Sequence, residues 1–303
     1  MSPAGAFVLS CTAALCAPSF RPVARASGGA SIGFAKFSMG PPLSAQAGEG
    51  EQMSVETRFG TVRYRSFGER ASSPQVLFVH GLGSSSQTAQ PPADLLQKAG
   101  FLVPDLLGHG ESACPANAEA FRMQSQAEAV VAVLEQEPSP GELFLIAHSL
   151  GGPVCVELCE MLRRKGKNVA GMVYAEGNLN AGDCFGSAKL VSKGVPAPPA
   201  EGASAAQQSR YAFDTAKFHS SVDLVQISGE GTLLPRIQAL RAEGMRVAFV
   251  YGGENRGRFT SEQLLSTEGE EIVWIEKGAH SMHADEGYVL FWNFVAGFVG
   301  TAE

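Results

Sequence analysis

With 303 residues, 45% of them hydrophobic and 17% charged, the chain has the composition of a globular protein able to bury a large core. Its formal net charge is −7, but all 30 acidic residues and only 20 of the 23 basic ones follow residue 47, so this body carries −10. An acidic body argues against a nucleic-acid partner, and no apolar run is long enough to span a bilayer.

Residues 1–47 are rich in Ala, Ser, Gly and Pro and contain Arg21, Arg25 and Lys36 but no acid. That is poor core material, and the segment reads as a targeting leader outside the fold. Its apolar stretch from Ala6 to Ala17 followed by a basic, serine-containing tail is similar to the two-part leaders of proteins bound for plastids of secondary origin. A plain chloroplast or mitochondrial transit peptide, and secretion, are the other destinations it fits. Residues 48–303 are predicted to form one domain. Of the six cysteines, Cys11 and Cys16 lie in the leader, and Cys114, Cys155, Cys159 and Cys184 make no C-x-x-C pair. Cys155 and Cys159, four apart on one helix face, are expected as small buried hydrophobes.

Loose alternation from Ser54 to Phe67, broken at Gly60, predicts an opening hairpin. Val76–Val79 is a continuous apolar run, as for a strand covered on both faces, and it leads into His80-Gly81-Leu82-Gly83. A short helix is predicted over 91–99, a strand at Phe101–Val103 closing on Asp105-Leu106-Leu107-Gly108-His109-Gly110, and a helix over 122–136. The run Phe144–Ala147 then ends in small residues around Ser149, with a helix over 153–165 behind it. Val169–Ala175 is a further buried strand that stops at Glu176. Periodicity is lost over 178–243 apart from helical pieces near 210–218 and 233–242, so this stretch is read as an insertion over the end of the sheet. Strands at Val247–Tyr251 and Ile272–Ile275 and a helix over 288–299 finish the chain. Strands alternating with helices imply an α/β fold with a mostly parallel sheet covered on both faces.

A serine at the apex of a strand–turn–helix can present its hydroxyl clear of the sheet, provided the positions two before and two after it are small. Ala147 and Gly151 occupy those positions. Four landmarks in order now mark the chain: His80-Gly81, Asp105-x-x-Gly-His-Gly, Ala147-His-Ser149-Leu-Gly151, and Gly278-Ala-His280. Over residues 54–299 this pattern resembles the α/β-hydrolase superfamily. The resemblance implies an α/β-hydrolase fold with a cap over about 178–243, Ser149 as nucleophile and His280 as its base. His283, three residues on, is the competitor for that role and is expected to stand behind His280 or at the surface. His148, His109 and His80 are expected to pack or to hold their turns. The backbone N–H groups of Leu82 and Leu150 are implied as the oxyanion hole.

The acid is where the chain departs from the family pattern. Most relatives carry an Asp after the penultimate strand, but Arg256 stands there, and a guanidinium cannot stabilise an imidazolium. Some relatives, certain haloalkane dehalogenases among them, carry a Glu at the end of the strand after the nucleophile helix, and Glu176 occupies that place. Glu176 is therefore the expected third member, with Glu254 and Asp183 as alternatives. No cofactor is required, and the spacing of His280 and His283 on a loop lacks the further ligands of a metal site.

The expected activity is cleavage of a small or medium uncharged carboxyl ester through an acyl-enzyme, because the insertion offers Phe185, Tyr211, Phe213, Phe218, Leu224, Leu233 and Leu234 without a dense basic patch. These side chains could equally be the insertion's own core. Two other functions fit the same pattern: hydrolysis of a carbon–carbon bond or a cofactor-free lyase reaction, and a ligand-binding protein with little or no turnover. The partner in the leading reading is a small-molecule substrate, and the oligomeric state is left open.

Overall fold

The computed structural model describes residues 48–68, 74–137 and 141–300, so the leader expected over 1–47 lies outside the described residues. Eight strands form one sheet: β1 (Glu51–Thr57), β2 (Gly60–Phe67), β3 (Gln75–Val79), β4 (Gly100–Pro104), β5 (Leu143–His148), β6 (Gly171–Ala175), β7 (Arg246–Gly252) and β8 (Ile272–Ile275). Their spatial order is β1-β2-β4-β3-β5-β6-β7-β8. β1 and β2 form the expected hairpin, β2 joins β4 antiparallel, and the strands from β4 to β8 run parallel.

Every residue of β3, β4 and β6 is buried, which is why these segments read as unbroken apolar runs. Successive side chains point to opposite faces and divide the core in two. Leu77, Val79, Leu145 and Ala147 join Val130 and Leu134 of α2 (Met123–Gln136) and Cys155, Leu158 and Leu162 of α3 (Gly151–Arg164). On the other face Val76, Phe78, Phe144 and Ile146 meet Leu95 of α1 (Ala93–Leu96) and Phe291, Trp292, Val295 and Phe298 of α8 (Tyr288–Gly300). Each such fully buried aliphatic or aromatic side chain contributes about 1.5–3 kcal/mol.

Between β6 and β7 lie α4 (Phe185–Ser192), α5 (Ala205–Gly229) and α6 (Leu233–Ala242), and α7 (Thr260–Thr267) follows β7. Sequence periodicity finds α6 but reduces α5 to a fragment and misses α4 and α7. The buried side of α5 includes Ser220, Ser221 and Ser228 beside Ala216 and Leu224, so polar residues interrupt the apolar pattern that marks a helix. Its start is sharply set, because Ser204 and Gln207 form a reciprocal capping box. α1 is shorter than predicted, with Pro92 as its N-cap and strand β4 already under way at Gly100. No helix among the described residues is long and apolar enough to cross a membrane.

Candidate active site

β5 stops at His148 and the chain turns sharply at Ser149, whose φ is +53°. A left-handed conformation costs a residue with a β-carbon about 1–2 kcal/mol, and the turn is held by hydrogen bonds at both ends of this residue. The Ser149 N–H donates to the Ala175 carbonyl at 3.0 Å, and the Gly152 N–H donates to the Ser149 carbonyl at 2.8 Å. Glycine is needed at 151 because a β-carbon there would collide with the Val79 carbonyl. It is needed at 81 as well, where a β-carbon would come within 2.9 Å of the Ser149 Cβ. Ala147, in place of the usual glycine, fits as a buried strand residue paired with Val79 and Tyr174.

On the adjacent strand β6 the same thing happens one position past the end. Glu176 has φ +45° and donates its N–H to the Val250 carbonyl at 2.9 Å. Its carboxylate is wholly buried, yet both oxygens are satisfied. Oε1 accepts from the Gly252 N–H and from Asn255 Nδ2, both at 2.8 Å. Oε2 accepts from Asn255 Nδ2 at 3.0 Å and from His280 Nδ1–H at 2.6 Å. A carboxylate at Glu176 only accepts, so the proton of His280 sits on Nδ1 and Nε2 carries the lone pair. That lone pair faces Ser149, whose hydroxyl donates to it at 3.1 Å. His280 remains 49% exposed and Ser149 half-buried, so the serine–histidine end is open while the carboxylate end is sealed.

The alternative acids lie elsewhere. Glu254 is exposed and engages the His280 loop only through its backbone N–H, which donates to the Gly278 carbonyl at 3.1 Å. Asp183 is buried but accepts from the N–H groups of Leu179 and Ser261, tying the segment after β6 to the start of α7. Arg256 is exposed, paired with Glu276 and laid over the Trp274 ring at 4.6 Å. Its neighbour Asn255 is the functional residue that sequence reading missed. It lies in the short turn after β7, and Arg258 Nη1 donates to its Oδ1 at 3.0 Å, which turns the amide N–H groups toward Glu176.

Four further histidines surround the site, all buried. His80 donates from Nδ1 to the Gly81 carbonyl at 2.8 Å and accepts the Leu106 N–H at Nε2, 3.1 Å. Burial, with His109 adjacent, holds its pKa down to about 3. Burial likewise holds His109 to about 4, while its Nδ1–H closes the turn on the Leu107 carbonyl at 3.1 Å. His148 does more than pack: its Nε2–H donates to the backbone carbonyl of His280 at 2.7 Å, joining the end of β5 to the His280 loop. Burial keeps His148 well below the ordinary histidine value. His283 is not at the surface but inside, its ring 4.6 Å from His148 and 5.0 Å from Phe78, with burial lowering its pKa to about 3. His219 stacks on Phe121.

The backbone N–H groups of Leu82 and Leu150 meet no acceptor among the described residues, and Leu150 is fully buried at the entry to α3. No group of three or more His, Cys, Asp or Glu residues among the described residues could hold a metal ion. Cys155 and Cys159 are buried, and burial raises both thiols, that of Cys159 to about 12. At that pKa a thiol stays protonated and behaves as a small apolar group.

The alpha/beta hydrolase family model matches residues 76–290. An uncharacterised protein of Mycobacterium tuberculosis is 34% identical over 95 residues, 31% of this chain and 27% of the relative. Protein phosphatase methylesterase 1 of Bos taurus is 31% identical over 150 residues, 45% of this chain and 39% of the relative. The matched stretches thus cover less than two-fifths of these curated relatives. Among solved structures, an N-acyl homoserine lactonase complexed with N-butanoyl homoserine superposes with a TM-score of 0.59 at 20% identity, covering 84% of this chain and 98% of that one. The thioesterase domain from the curacin biosynthetic pathway gives 0.56 at 18% identity, covering 84% and 100%. A haloalkane dehalogenase from Bradyrhizobium gives 0.59 at 16% identity, covering 83% and 98%. These structural likenesses concern the fold, and the family match extends over more than two-thirds of the sequence. The chain belongs to the alpha/beta hydrolase family.

Proposed function

We propose that the protein is a serine hydrolase that cleaves a small or medium uncharged carboxyl ester through an acyl-enzyme. The observation that carries this reading is the unbroken line from the Ser149 hydroxyl to His280 Nε2 at 3.1 Å and from His280 Nδ1 to the buried Glu176 carboxylate at 2.6 Å. A serine hydroxyl is a weak nucleophile unless a base removes its proton during attack. His280, in the tautomer that Glu176 selects, is placed to do so. Its imidazolium then forms beside a carboxylate that is already desolvated and oriented, which lowers the cost of the charge. The free N–H groups of Leu82 and Leu150 would receive the oxyanion. His280 returns the proton to the departing alcohol, and water repeats the sequence on the acyl-enzyme. Leu224, Leu233 and Leu234 are buried in the core, so α4 and α5 act as the cap, and the half-buried Tyr211, Phe213 and Phe218 favour an uncharged substrate. By its name, the similar methylesterase is an ester hydrolase, which agrees with this chemistry.

The test is fluorophosphonate labelling of the purified body with mass-spectrometric mapping and a Ser149→Ala control. Rapid modification at Ser149 and none in the variant is the expected result. A folded protein that resists the probe at Ser149 refutes an activated serine.

A further inference from the structure

An ester substrate has two ends, and the surroundings of His280 distinguish them. In the proposed reaction the base hands its proton to the leaving oxygen, so the group on that oxygen lies along the His280 side of the site. The carbonyl oxygen lies on the other side, toward Leu82 and Leu150.

On the His280 side the walls are aromatic. The Phe259 ring stacks on the imidazole with centroids 6.2 Å apart and planes 25° from parallel. Phe185 in turn meets Phe259 at 5.7 Å. Phe259 is nearly buried, but Phe185 is 59% exposed, and the other large hydrophobic side chains exposed among the described residues are both valines. Phe185 is not carried on a loose loop. It opens α4 directly after a turn closed by the Asn180–Asp183 capping box, and Asp183 accepts the Ser261 N–H at 3.0 Å, which fastens that turn to α7. A phenylalanine ring held in water against an aromatic neighbour presents an apolar face that a ligand ring can cover.

The other side also has an aromatic side chain, Phe213, but charged groups cover it. The Lys217 stem lies against Gly83, its ammonium sits 4.5 Å over the Phe213 ring, and Asp214 pairs with it at 2.9 Å. Among the described residues the exposed phenylalanine is therefore on the side where the alcohol portion departs.

We propose that Phe185 and Phe259 form the seat of the leaving group, and that the substrate is an ester of an aryl alcohol or of an alcohol with a comparably large apolar ring. The proposal rests on the serine-hydrolase reading of Ser149 and His280. It is tested with two carbamoylating probes that share one dimethylcarbamoyl group and differ in what leaves, fluoride in one and 4-nitrophenoxide in the other. In each, Ser149 Oγ bonds to the carbonyl carbon and the leaving group departs on the His280 side, so the labelling rate reads the leaving-group site without knowledge of the natural substrate.

Phe185→Ala, a change at an exposed ring, should slow labelling by the aryl probe about three- to tenfold and leave the fluoride probe unchanged. Phe185→Trp should restore the aryl rate. Equal slowing with both probes, or none with either, overturns the seat while leaving the serine-hydrolase reading intact. Failure of the wild-type protein to react with either probe at Ser149 overturns that reading, and the seat with it.

Discussion

Replacing Glu176 by Gln tests the charge-stabilising arm of the site with little change of volume. The structure dictates how the amide must lie. Asn255 Nδ2 reaches both oxygens and His280 can change tautomer, but the Gly252 backbone N–H at Oε1 can only donate, so an acceptor is required there. The amide oxygen takes that place and the NH2 falls where Oε2 now accepts from His280 Nδ1. An NH2 in that position donates to Nδ1, which moves the imidazole proton to Nε2, and an Nε2–H cannot accept the Ser149 proton. The substitution thus removes the stabilising charge and selects the wrong tautomer together. The same change in a serine-protease triad lowers turnover by about four orders of magnitude, equivalent to about 5.5 kcal/mol of barrier. The assay is the rate constant of fluorophosphonate labelling at Ser149, with circular dichroism to verify folding. Glu254→Gln is the control and should label within about twofold of wild type, as expected for a surface change remote from the reacting atoms. A Glu176→Gln protein that keeps more than about a tenth of the wild-type rate refutes this tautomer logic.

Asn255→Leu removes the Nδ2 donor that both oxygens of the Glu176 carboxylate share. Hydrogen bonds to a buried charge contribute about 1.5–3 kcal/mol, so thermal stability should fall by that order and labelling at Ser149 should slow. An unchanged melting temperature and rate would show Asn255 to be a bystander. Acid should unfold the protein early. His80, His109 and His283 stay neutral in the folded state down to about 3–4, whereas in the unfolded chain they take up protons below the reference value of 6.5. The unfolded state therefore binds more protons as pH falls through 6.5, and stability drops. At pH 5 the difference is about 2 kcal/mol for each histidine. Denaturant midpoints measured from pH 7.5 to 4.5 should fall steeply below 6.5, and a midpoint independent of pH over that range would contradict neutral burial.

The sheet was legible because its strands are buried on both faces, and unbroken apolar runs such as Val76–Val79 have few other readings. The turn at Ser149 announced itself through the small residues its cramped geometry demands, and Ser149, His280 and Glu176 are brought into one hydrogen-bonded line. What escaped the sequence was whatever depends on contacts between distant segments. Asn255 carries no charge, periodicity or motif, and its importance comes from facing a carboxylate 79 residues away. The role of His148 depends on a carbonyl 132 residues downstream. α5 hid its length because its buried serines belong to the contact surface between helix and body, which a one-dimensional pattern does not encode.

Ser149 and Glu176 each stand one residue beyond neighbouring, hydrogen-bonded strands, with His148 paired to Ala175 directly beneath them. Their separation is therefore set by the strand spacing of the sheet, about 4.8 Å, and can change only if the sheet itself comes apart. His280 has no such footing. It rides a loop moored by the His148 imidazole, by the Glu254 N–H on Gly278, by the Ala279 N–H on Asp285 and by the buried His283, whose carbonyl accepts from Trp292 Nε1. Warming should therefore extinguish activity by unmooring that loop while the sheet is still intact, and cooling should bring the activity back. Inactivation should then precede the loss of sheet circular dichroism on warming, and coincidence of the two would show the loop to be held as firmly as the strands.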